Sequence, residues 1–365
     1  MILIGNKKIA FGQPCFIIAE AGVNHDGELE KAKWLVDLAK EAGVDAVKFQ
    51  TWKTENLILK DTAKAEYQLE QTGEGSQYDM IKALELNYGQ FRELKEYCEQ
   101  KDILFLSTPD EEESAEFLYQ LGVPVIKVGS GELTNLLYLK RLARYHKPII
   151  LSTGMGTSEE VIRAKKIIFG EGNQELILLH CTTDYPAALS DVNLSAMETL
   201  QKETGCLIGY SDHTLGTDVP LVALSLGAVV IEKHFTYGKS AAGPDHSASL
   251  SPAELKELVQ KIREYERLSP AEKGKCIQKI PKLSLILGSK EKKPVLRESK
   301  NKIVVRKSFL AGRFIPAGTV ITEDLLAQKR ADGKGIPAED YQKIIGKRTR
   351  ISLQKDTILE ARFLE

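Results

Sequence analysis

Short, continuous apolar runs alternate with amphipathic segments over residues 16–268. The first pair shows the pattern, because FIIAEAG at 16–22 is apolar almost throughout while 28–42 repeats apolar residues at helical spacing. Strands that are buried on both faces have this continuous apolar character. The pattern therefore predicts parallel strands joined by helices. The strands are predicted at 16–22, 46–50, 104–109, 125–131, 148–154, 176–186, 207–214 and 229–236.

Eight helical segments follow these strands, and such strict alternation is the signature of a (β/α)8 TIM barrel. A doubly wound open sheet is the alternative, but no glycine-rich fingerprint follows the first strand. A hairpin at 2–12 is expected to plug the bottom of the barrel, and 51–87 is a long polar insertion. The helices are predicted at 28–42, 88–100, 111–121, 135–146, 157–169, 193–204, 216–227 and 251–268.

The character of the chain changes after residue 268. Residues 269–300 are charged and suggest a linker with a short helix. Beyond them lie the strand candidates KIVVRKSFLA, GTVITEDLLAQKR and RTRISL, which turn signals separate. The sequence therefore predicts a barrel domain at 1–268, a linker at 269–300 and a small β-rich domain at 301–365.

Composition narrows the classes of function. The chain has 365 residues, with 50 Lys+Arg against 51 Asp+Glu, so its charge favours neither nucleic acid nor an anionic membrane. No apolar run is long enough to span a bilayer, and the N-terminus lacks the basic start and apolar core of a signal peptide. The five cysteines form no C-x-x-C pair. We therefore expect a cytoplasmic protein with reduced thiols.

Polar side chains follow the predicted strands at the edge where barrel enzymes build their sites. His213 and His234 follow neighbouring strands, so their imidazoles are expected side by side. Two converging imidazoles are a candidate divalent-metal site. Other histidines also lie at predicted strand ends, which favours this interpretation over two unrelated histidines.

Lys48 and Lys127 lie within apolar strands, where an unpaired charge is costly to bury. Either they pair with Glu20 or Glu132, or they bind an anion together with nearby serine hydroxyls and glycine N–H groups. That set suits a phosphate plus a carboxylate, and the absence of a P-loop disfavours a nucleotide. The two glutamates are equally candidates for acid–base catalysis. Asp245, in a glycine-flanked loop, is a candidate for binding substrate hydroxyls.

Motifs along the whole barrel resemble the bacterial sialic acid (N-acetylneuraminate) synthase family, whose members condense phosphoenolpyruvate with an N-acetylated sugar. The C-terminal residues AGRFIPAGTVITEDLLAQKR resemble the antifreeze-like (SAF) domain of that family. The resemblance implies a metal-dependent transferase that releases phosphate by C–O cleavage. The barrel motifs are IIAEAGVNHDG (17–27), VKFQ (47–50), KVGSGE (127–132), LSTGM (151–155), HCTTDYP (180–186), GYSDHT (209–214), EKHFT (232–236) and GPDHSASL (243–250).

The resemblance also implies roles for individual residues. His213 and His234 would be the metal ligands, with Mn²⁺ expected first and Mg²⁺ or Co²⁺ as alternatives. Glu20 matches an active-site carboxylate, and Arg330 matches the arginine that reaches the N-acetyl group. The implied phosphoenolpyruvate site is Lys48, Thr108, Lys127, Ser130, Ser152 and Ser211. The implied sugar contacts are Gln50, Glu132, Thr183, Tyr185 and Asp245.

The family further implies a domain-swapped homodimer in which the SAF domain caps the partner's barrel. N-acetylmannosamine is the preferred sugar, and a diacetamido hexose leading to legionaminic or pseudaminic acid is the alternative. A different phosphoenolpyruvate aldol-type enzyme and a non-catalytic spore-coat relative are the other classes. Three residues depart from the family pattern. These are Asp110 in place of a common phenylalanine, Thr183 in place of an asparagine of some members, and Ala331 in place of the usual proline.

Overall fold

The computed structural model describes residues 1–365 apart from the side chain of Tyr67. In chain order the strands are β1 (Ile2–Ile4), β2 (Lys7–Ile9), β3 (Phe16–Gly22), β4 (Ala46–Thr51), β5 (Leu104–Pro109), β6 (Ile126–Val128), β7 (Ile149–Ser152), β8 (Leu176–His180), β9 (Leu207–Asp212), β10 (Val230–His234), β11 (Lys307–Ala311) and β12 (Leu326–Arg330). In chain order the helices are α1 (Leu29–Ala42), α2 (Thr54–Leu57), α3 (Glu66–Thr72), α4 (Gln77–Ala83), α5 (Tyr88–Gln100), α6 (Glu112–Leu121), α7 (Leu136–Ala143), α8 (Ser158–Gly170), α9 (Ala196–Thr204), α10 (Asp218–Ser225), α11 (Pro252–Arg267), α12 (Pro270–Gln278), α13 (Leu283–Leu287) and α14 (Leu296–Val305).

Strands β3 to β10 form the predicted barrel. Within the described chain they make one eight-stranded sheet in the order β5-β4-β3-β10-β9-β8-β7-β6, and the paired strands are parallel. The two ends of this order, β5 and β6, lie side by side, so the sheet is nearly closed. This arrangement confirms the (β/α)8 fold, and it brings the carboxyl ends of all these strands to one mouth.

The N-terminal hairpin closes the opposite end of the barrel. Strands β1 and β2 pair antiparallel, with Ile2 opposite Ile9. These two isoleucines are buried in one apolar cluster with the inward-facing Phe16 and Ile18 of β3. The hairpin therefore fills the barrel bottom with side chains, as expected from its sequence.

Alternation along the strands explains why the mouth is polar. Successive side chains of a strand point to opposite faces, so residues two apart share the barrel interior. Ile18 and Val230 belong to the inner apolar cluster, and two positions further along the same strands lie Glu20 and Glu232. The inward-facing positions of these strands are therefore apolar near the hairpin end of the barrel and charged at its mouth.

Local signals set the ends of the outer helices, as α11 illustrates. Ser251 Oγ accepts a hydrogen bond from the Glu254 backbone N–H at 3.3 Å, and the Glu254 carboxylate accepts one from the Ser251 N–H at 2.7 Å. This capping box satisfies N–H groups that a helix start leaves free, and Pro252 occupies the first position. Leu255 and Ile262, on the inner face of the helix, are fully buried.

Several predicted segments differ from the structure. The insertion at 51–87 is not only polar surface, because it forms α2, α3 and α4 and contributes apolar residues to the mouth. The linker at 269–300 contains α12, α13 and the start of α14 rather than one short helix. The strand predicted at KIVVRKSFLA is wrong for its first half. Its β-branched residues up to Val305 lie in α14, which the Glu298 carboxylate caps through the Val295 N–H.

The C-terminal domain centres on the antiparallel pair β11 and β12, in which Lys307 lies opposite Arg330. Its own core includes Phe309, Ile315 and Leu359, all fully buried. The RTRISL segment, predicted as a strand, contributes single β-bridges instead. Among the described residues, none of the helices combines the length and apolar character required for a bilayer crossing.

Candidate active site

A pocket with an empty volume of about 1170 Å³ occupies the mouth of the barrel. It gathers residues from the strand ends, from the insertion at 51–87 and from the C-terminal domain. Every site residue that the sequence predicted lies in its wall. These residues are Glu20, Lys48, Gln50, Thr108, Lys127, Ser130, Glu132, Ser152, Thr183, Tyr185, Ser211, His213, His234, Asp245 and Arg330.

Two lysines and two glutamates form a buried array at the base of the pocket. Lys48 Nζ lies 2.7 Å from Glu20 Oε2 and 3.7 Å from Glu232 Oε2. Lys127 Nζ lies 3.2 Å from Glu232 Oε1, so this glutamate bridges the two lysines. The ion pair expected between Lys48 and Glu20 is therefore present, whereas Lys127 pairs with Glu232 rather than with Glu132.

The two carboxyls of this array differ in their affinity for protons. Burial alone would raise the pKa of Glu232, but Lys127 and Lys48 outweigh it and lower that pKa. Burial raises the pKa of Glu20, and the charge of Glu232 adds to the rise while Lys48 opposes it. Burial lowers the pKa of Lys127. Glu232 thus keeps its charge as a counterion, and Glu20 takes up a proton more readily.

Hydroxyl groups complete the array. Thr108 Oγ1 accepts a hydrogen bond from Lys48 Nζ at 3.1 Å, and Ser152 Oγ accepts one from Lys127 Nζ at 2.9 Å. Ser211 Oγ donates to the carboxylate that bridges the lysines, at 2.9 Å. An anion that enters here would meet ammonium and hydroxyl donors together, which is the chemistry expected of a phosphate or carboxylate site.

The strand ends after β6, β7 and β8 approach one another closely. The Gly154 backbone N–H donates to Ser130 Oγ at 3.0 Å. A Cβ atom on Gly154 would lie only 2.1 Å from Thr183 Oγ1, so no larger residue fits between these loops. Thr183 Oγ1 is buried and has no hydrogen-bond partner among the described residues. This hydroxyl is therefore available to a ligand in the pocket.

His213 and His234 lie side by side, as the strand order predicts. Their ring centroids are 5.6 Å apart, and the Tyr185 ring packs 4.1 Å from the ring of His213. His213 Nδ1 donates to the Thr182 carbonyl oxygen at 2.6 Å, which leaves the lone pair on Nε2. Burial lowers the pKa of His213 to about 4, and burial together with His213 lowers the pKa of His234. Both imidazoles are therefore neutral near pH 7.

The pair fits a divalent cation by the chemistry of its donors. Neutral imidazole is a metal ligand, and the buried Nδ1 of His234 has no hydrogen-bond partner among the described residues. Asp245 Oδ2 lies 3.8 Å from that nitrogen, too far for a hydrogen bond. The described residues include no group of three or more His, Cys, Asp or Glu side chains suited to a metal ion. Two protein ligands leave positions open, as in catalytic rather than structural sites.

The C-terminal domain covers the mouth of its own barrel. The backbone of Arg330 forms a parallel bridge with Ile58, and its side chain lines the pocket despite the Ala331 departure. Lys307 Nζ lies 2.8 Å from the Glu132 carboxylate, so this domain also neutralises a barrel residue. The exchange of caps between two copies stays a prediction, because a single chain does not test it.

Part of the pocket lining is an apolar wall. Several members of this wall are buried together in a satellite apolar cluster away from the barrel core. Such a wall suits methyl or ring carbon groups of a ligand rather than a second charged group. The residues of the apolar wall are Val23, Trp52, Leu57, Met80, Ile81 and Leu84.

Sequence reasoning missed two acidic residues of the pocket. Glu232 lies in the EKHFT motif, but the sequence does not mark it as the counterion of both lysines. Its signal was its inward position, two residues after Val230 and two before His234. Asp110 was noted only as a departure from the family, yet it lines the pocket with Arg330. Burial raises the pKa of Asp110 to about 6, although Arg330 and Lys307 oppose that rise.

A third residue that sequence reasoning missed, Glu298, lies in the linker and supports the site through hydrogen bonds. Glu298, on α14, is buried, and its Oε1 accepts hydrogen bonds from the backbone N–H groups of Met155 at 2.7 Å and Thr183 at 2.8 Å. Asn301, one turn later, donates to the Thr183 carbonyl at 2.8 Å. Together they hold the segment whose Thr182 carbonyl orients His213. No local motif marked this role, because α14 was predicted as linker and strand.

The other strand-end histidines lie outside the pocket wall. His180 Nε2 bonds with the Val192 carbonyl at 2.8 Å. His246 bonds through Nε2 with Asp26 at 2.8 Å and through Nδ1 with Thr236 at 2.6 Å, which ties the loop after β3 to the loop after β10. These histidines hold the loops that carry the site, and they do not line the pocket.

Comparison with known proteins agrees with this geometry. The family model described as NeuB family matches residues 35–273, and the SAF domain model matches residues 306–365. The chain belongs to the NeuB family. The same matches confirm the barrel followed by a SAF domain, and several relatives of this NeuB protein are sugar-acid synthases.

Three relatives are similar to this chain over nearly their whole length. The N,N'-diacetyllegionaminic acid synthase of Legionella pneumophila is 45% identical, over 97% of this chain and 96% of its own. The corresponding synthase of Campylobacter jejuni is 43% identical, over 94% and 98%. The human N-acetylneuraminate-9-phosphate synthase is 36% identical, over 95% and 92%. Among solved structures, the Bacillus subtilis spore coat polysaccharide biosynthesis protein SpsE has a TM-score of 0.83 at 33% identity and covers 100% of this chain and 99% of its own.

Proposed function

We propose that this NeuB protein condenses phosphoenolpyruvate with a diacetamido hexose to form a legionaminic-type sugar acid. The observation that carries the proposal is one pocket holding a lysine–hydroxyl anion site next to two neutral imidazoles. The anion site suits the phosphate and carboxylate of phosphoenolpyruvate. The imidazoles suit the divalent ion that the family resemblance implies.

The reaction joins carbon C3 of phosphoenolpyruvate to the aldehyde carbon of the open-chain sugar. Water adds at C2, and the bond between C2 and the phosphate oxygen breaks to release inorganic phosphate. A cation held by His213 and His234 would supply Lewis-acid polarisation of the aldehyde oxygen when bound. Mn²⁺ is the first candidate, with Mg²⁺ and Co²⁺ as alternatives.

The residues of the ionic array handle charge and protons. Lys48 and Lys127 bind the anionic groups, with Thr108, Ser152 and Ser211 as hydroxyl partners. The approach of an anion further raises the pKa of the Glu20 carboxyl, because like charges disfavour ionisation. A raised pKa makes the Glu20 carboxylate a stronger base, so it accepts the proton that the water loses as it adds at C2.

The sequence alone favours N-acetylmannosamine as the sugar substrate. We propose a diacetamido hexose instead, for two reasons. The relatives named for diacetyllegionaminic acid are 45% and 43% identical, against 36% for the human N-acetylneuraminate-9-phosphate synthase. The apolar wall also suits an additional acetyl methyl group. N-acetylmannosamine remains the second candidate, because the neuraminate relative is itself similar over nearly the whole chain.

One kinetic assay tests the choice of sugar. The purified protein is incubated with Mn²⁺, phosphoenolpyruvate and each sugar in turn, while phosphate release is followed. We expect kcat/KM for the diacetamido hexose to exceed that for N-acetylmannosamine by at least about tenfold, since one well-placed amide contact is worth that much. A preference for N-acetylmannosamine would contradict the substrate assignment while leaving the reaction class intact.

The swapped homodimer is a separate proposal, supported by the family resemblance alone. Arg330→Ala removes a cap residue, and Lys127→Ala removes a barrel residue. If caps are exchanged, mixing and re-dimerising the two inactive variants restores part of the activity. No restoration would show that each cap serves its own barrel, as it lies in this structure.

A further inference from the structure

Asp110 and Arg330 place opposite charges in the pocket without pairing with each other. Within the described residues, neither side chain has a hydrogen bond, and no ion pair within 4.0 Å joins them to each other or to a third residue. Arg330 Nε is buried and lacks a hydrogen-bond partner. Both side chains line the pocket. A charge left unpaired in a partly buried site is costly, so a ligand is the expected partner of each.

The backbone around each residue is held firmly. The Asp110 N–H donates to the Thr51 carbonyl at 3.0 Å, and its carbonyl accepts a hydrogen bond from Lys307 Nζ. The Arg330 carbonyl accepts hydrogen bonds from the Leu59 N–H at 3.3 Å and from Thr62 Oγ1 at 3.3 Å. Because the main chain of both is fixed from two sides, the gap between the side chains is built into the fold.

The Asp110 carboxylate and the Arg330 guanidinium together favour one kind of ligand group between them. A carboxylate only accepts hydrogen bonds, and a guanidinium only donates them. A ligand that satisfies both must present one donor and one acceptor in opposed directions. The N–H and C=O of a trans secondary amide have that arrangement. Apolar contact for the adjoining methyl is available from Leu57 and Val305, which line the same pocket.

We propose that Asp110 and Arg330 together bind one acetamido group of the sugar, with Asp110 accepting its N–H and Arg330 donating to its carbonyl oxygen. The family resemblance already implies the arginine contact, and the structure adds Asp110 as the specificity-determining partner. The inference rests on the proposed function, because it names a contact to the sugar of that reaction.

Two substitutions separate this role from a simple counter-charge. Asp110→Leu keeps the shape but removes the acceptor, and Asp110→Asn removes the charge but keeps an acceptor oxygen. We expect Asp110→Leu to lower kcat/KM for the acetamido sugar by about 10- to 100-fold, with KM for phosphoenolpyruvate changed less than about twofold. Asp110→Asn should lose less than about tenfold, because its oxygen still accepts the amide N–H. The matched control is Glu113→Gln, an exposed carboxylate outside the pocket wall, which should retain wild-type kinetics.

The outcomes distinguish the contact from the reaction. If Asp110→Leu kept kcat/KM for the sugar within about twofold, or if Asp110→Asn lost as much as Asp110→Leu, the acetamido contact would be overturned and the reaction would stand. An equal rise in KM for phosphoenolpyruvate would also overturn it. If the unaltered protein turned over neither sugar, the proposed function would fail and the contact would fail with it. Thermal melting of each variant confirms that the folded protein is compared.

Discussion

The two sides of the pocket are built in opposite ways. At the base, Lys48 and Lys127 come from barrel strands and already have partners within the chain, at 2.7 to 3.7 Å. At the rim, Asp110 and Arg330 come from a loop and from the SAF domain. Among the described residues, neither side chain has a hydrogen bond or an ion pair within 4.0 Å. In the proposed function, the base is therefore preorganised to bind the anion, and the sugar supplies the missing partners at the rim.

This difference assigns the common chemistry and the substrate choice to different parts of the fold. Inward-facing strand positions are fixed by the barrel, so they suit the step that all sugar substrates share. Loops and an added domain change with less consequence for folding, so they suit selection of the sugar.

The largest expected effect follows removal of Lys127. Lys127→Met leaves Glu232 buried with only Lys48 as a distant partner. We expect a loss of about 3–5 kcal/mol in the free energy of unfolding and at least about a thousandfold lower kcat/KM for phosphoenolpyruvate. Denaturant unfolding and steady-state kinetics measure the two effects.

A matched control exists on strand β10. Lys233 is as deeply buried and forms an ion pair with Asp212, but it does not line the pocket. Lys233→Met should cost similar stability while the folded fraction keeps its affinity for phosphoenolpyruvate. If both variants lost affinity for phosphoenolpyruvate equally, the assignment of anion binding to the inward-facing Lys127 would be contradicted.

The imidazole pair is the next target. His213→Ala or His234→Ala should lower activity by at least about a hundredfold, since a Lewis acid is worth several kcal/mol. Mn²⁺ binding, followed by calorimetry, should weaken in the same variants. His180→Asn is the control, because His180 is buried on the neighbouring strand but lies outside the pocket wall. Unchanged Mn²⁺ affinity in His213→Ala would refute the ligand assignment.

The linker helix should show a smaller effect. Glu298→Ala frees the N–H groups of Met155 and Thr183, and we expect kcat to fall by about 10- to 100-fold as the loop that orients His213 relaxes. Glu272→Ala is matched to it, because Glu272 caps α12 through Ser269 but contacts no residue of the pocket. That control should change the free energy of unfolding only slightly, because the Glu272 side chain is fully exposed. Equal kinetics in the two variants would remove the positioning role.

The smallest effect concerns stability at acidic pH. Burial lowers the pKa of His25 to about 4 and of His180 to about 3. Between those values and the unfolded value of about 6.5, only the unfolded chain binds the protons, so the free energy of unfolding falls as pH falls. Each histidine should contribute about 1 kcal/mol of loss between about pH 7 and about pH 5.5. His180→Asn should show a shallower pH dependence in urea unfolding, and an unchanged slope would contradict this account.

Much of this site follows from sequence because its chemistry is periodic. Alternation along apolar strands placed Lys48, Lys127 and the two metal-candidate histidines in one barrel mouth. The roles of Glu232, Asp110 and Glu298 depend instead on which strand or helix lies opposite, and that information is not local. The helices of the insertion and of α14 escaped prediction for the same reason, because tertiary packing overrides their polar or β-branched composition.

One isotope measurement tests the central claim most directly. Phosphoenolpyruvate carrying heavy oxygen in the bridge between C2 and phosphorus is incubated with the protein, Mn²⁺ and the diacetamido hexose, and both products are analysed by mass spectrometry. The account predicts one equivalent of sugar acid per phosphate, with the heavy oxygen in the phosphate. Heavy oxygen retained in the sugar acid, or phosphate released without a sugar acid, would contradict it.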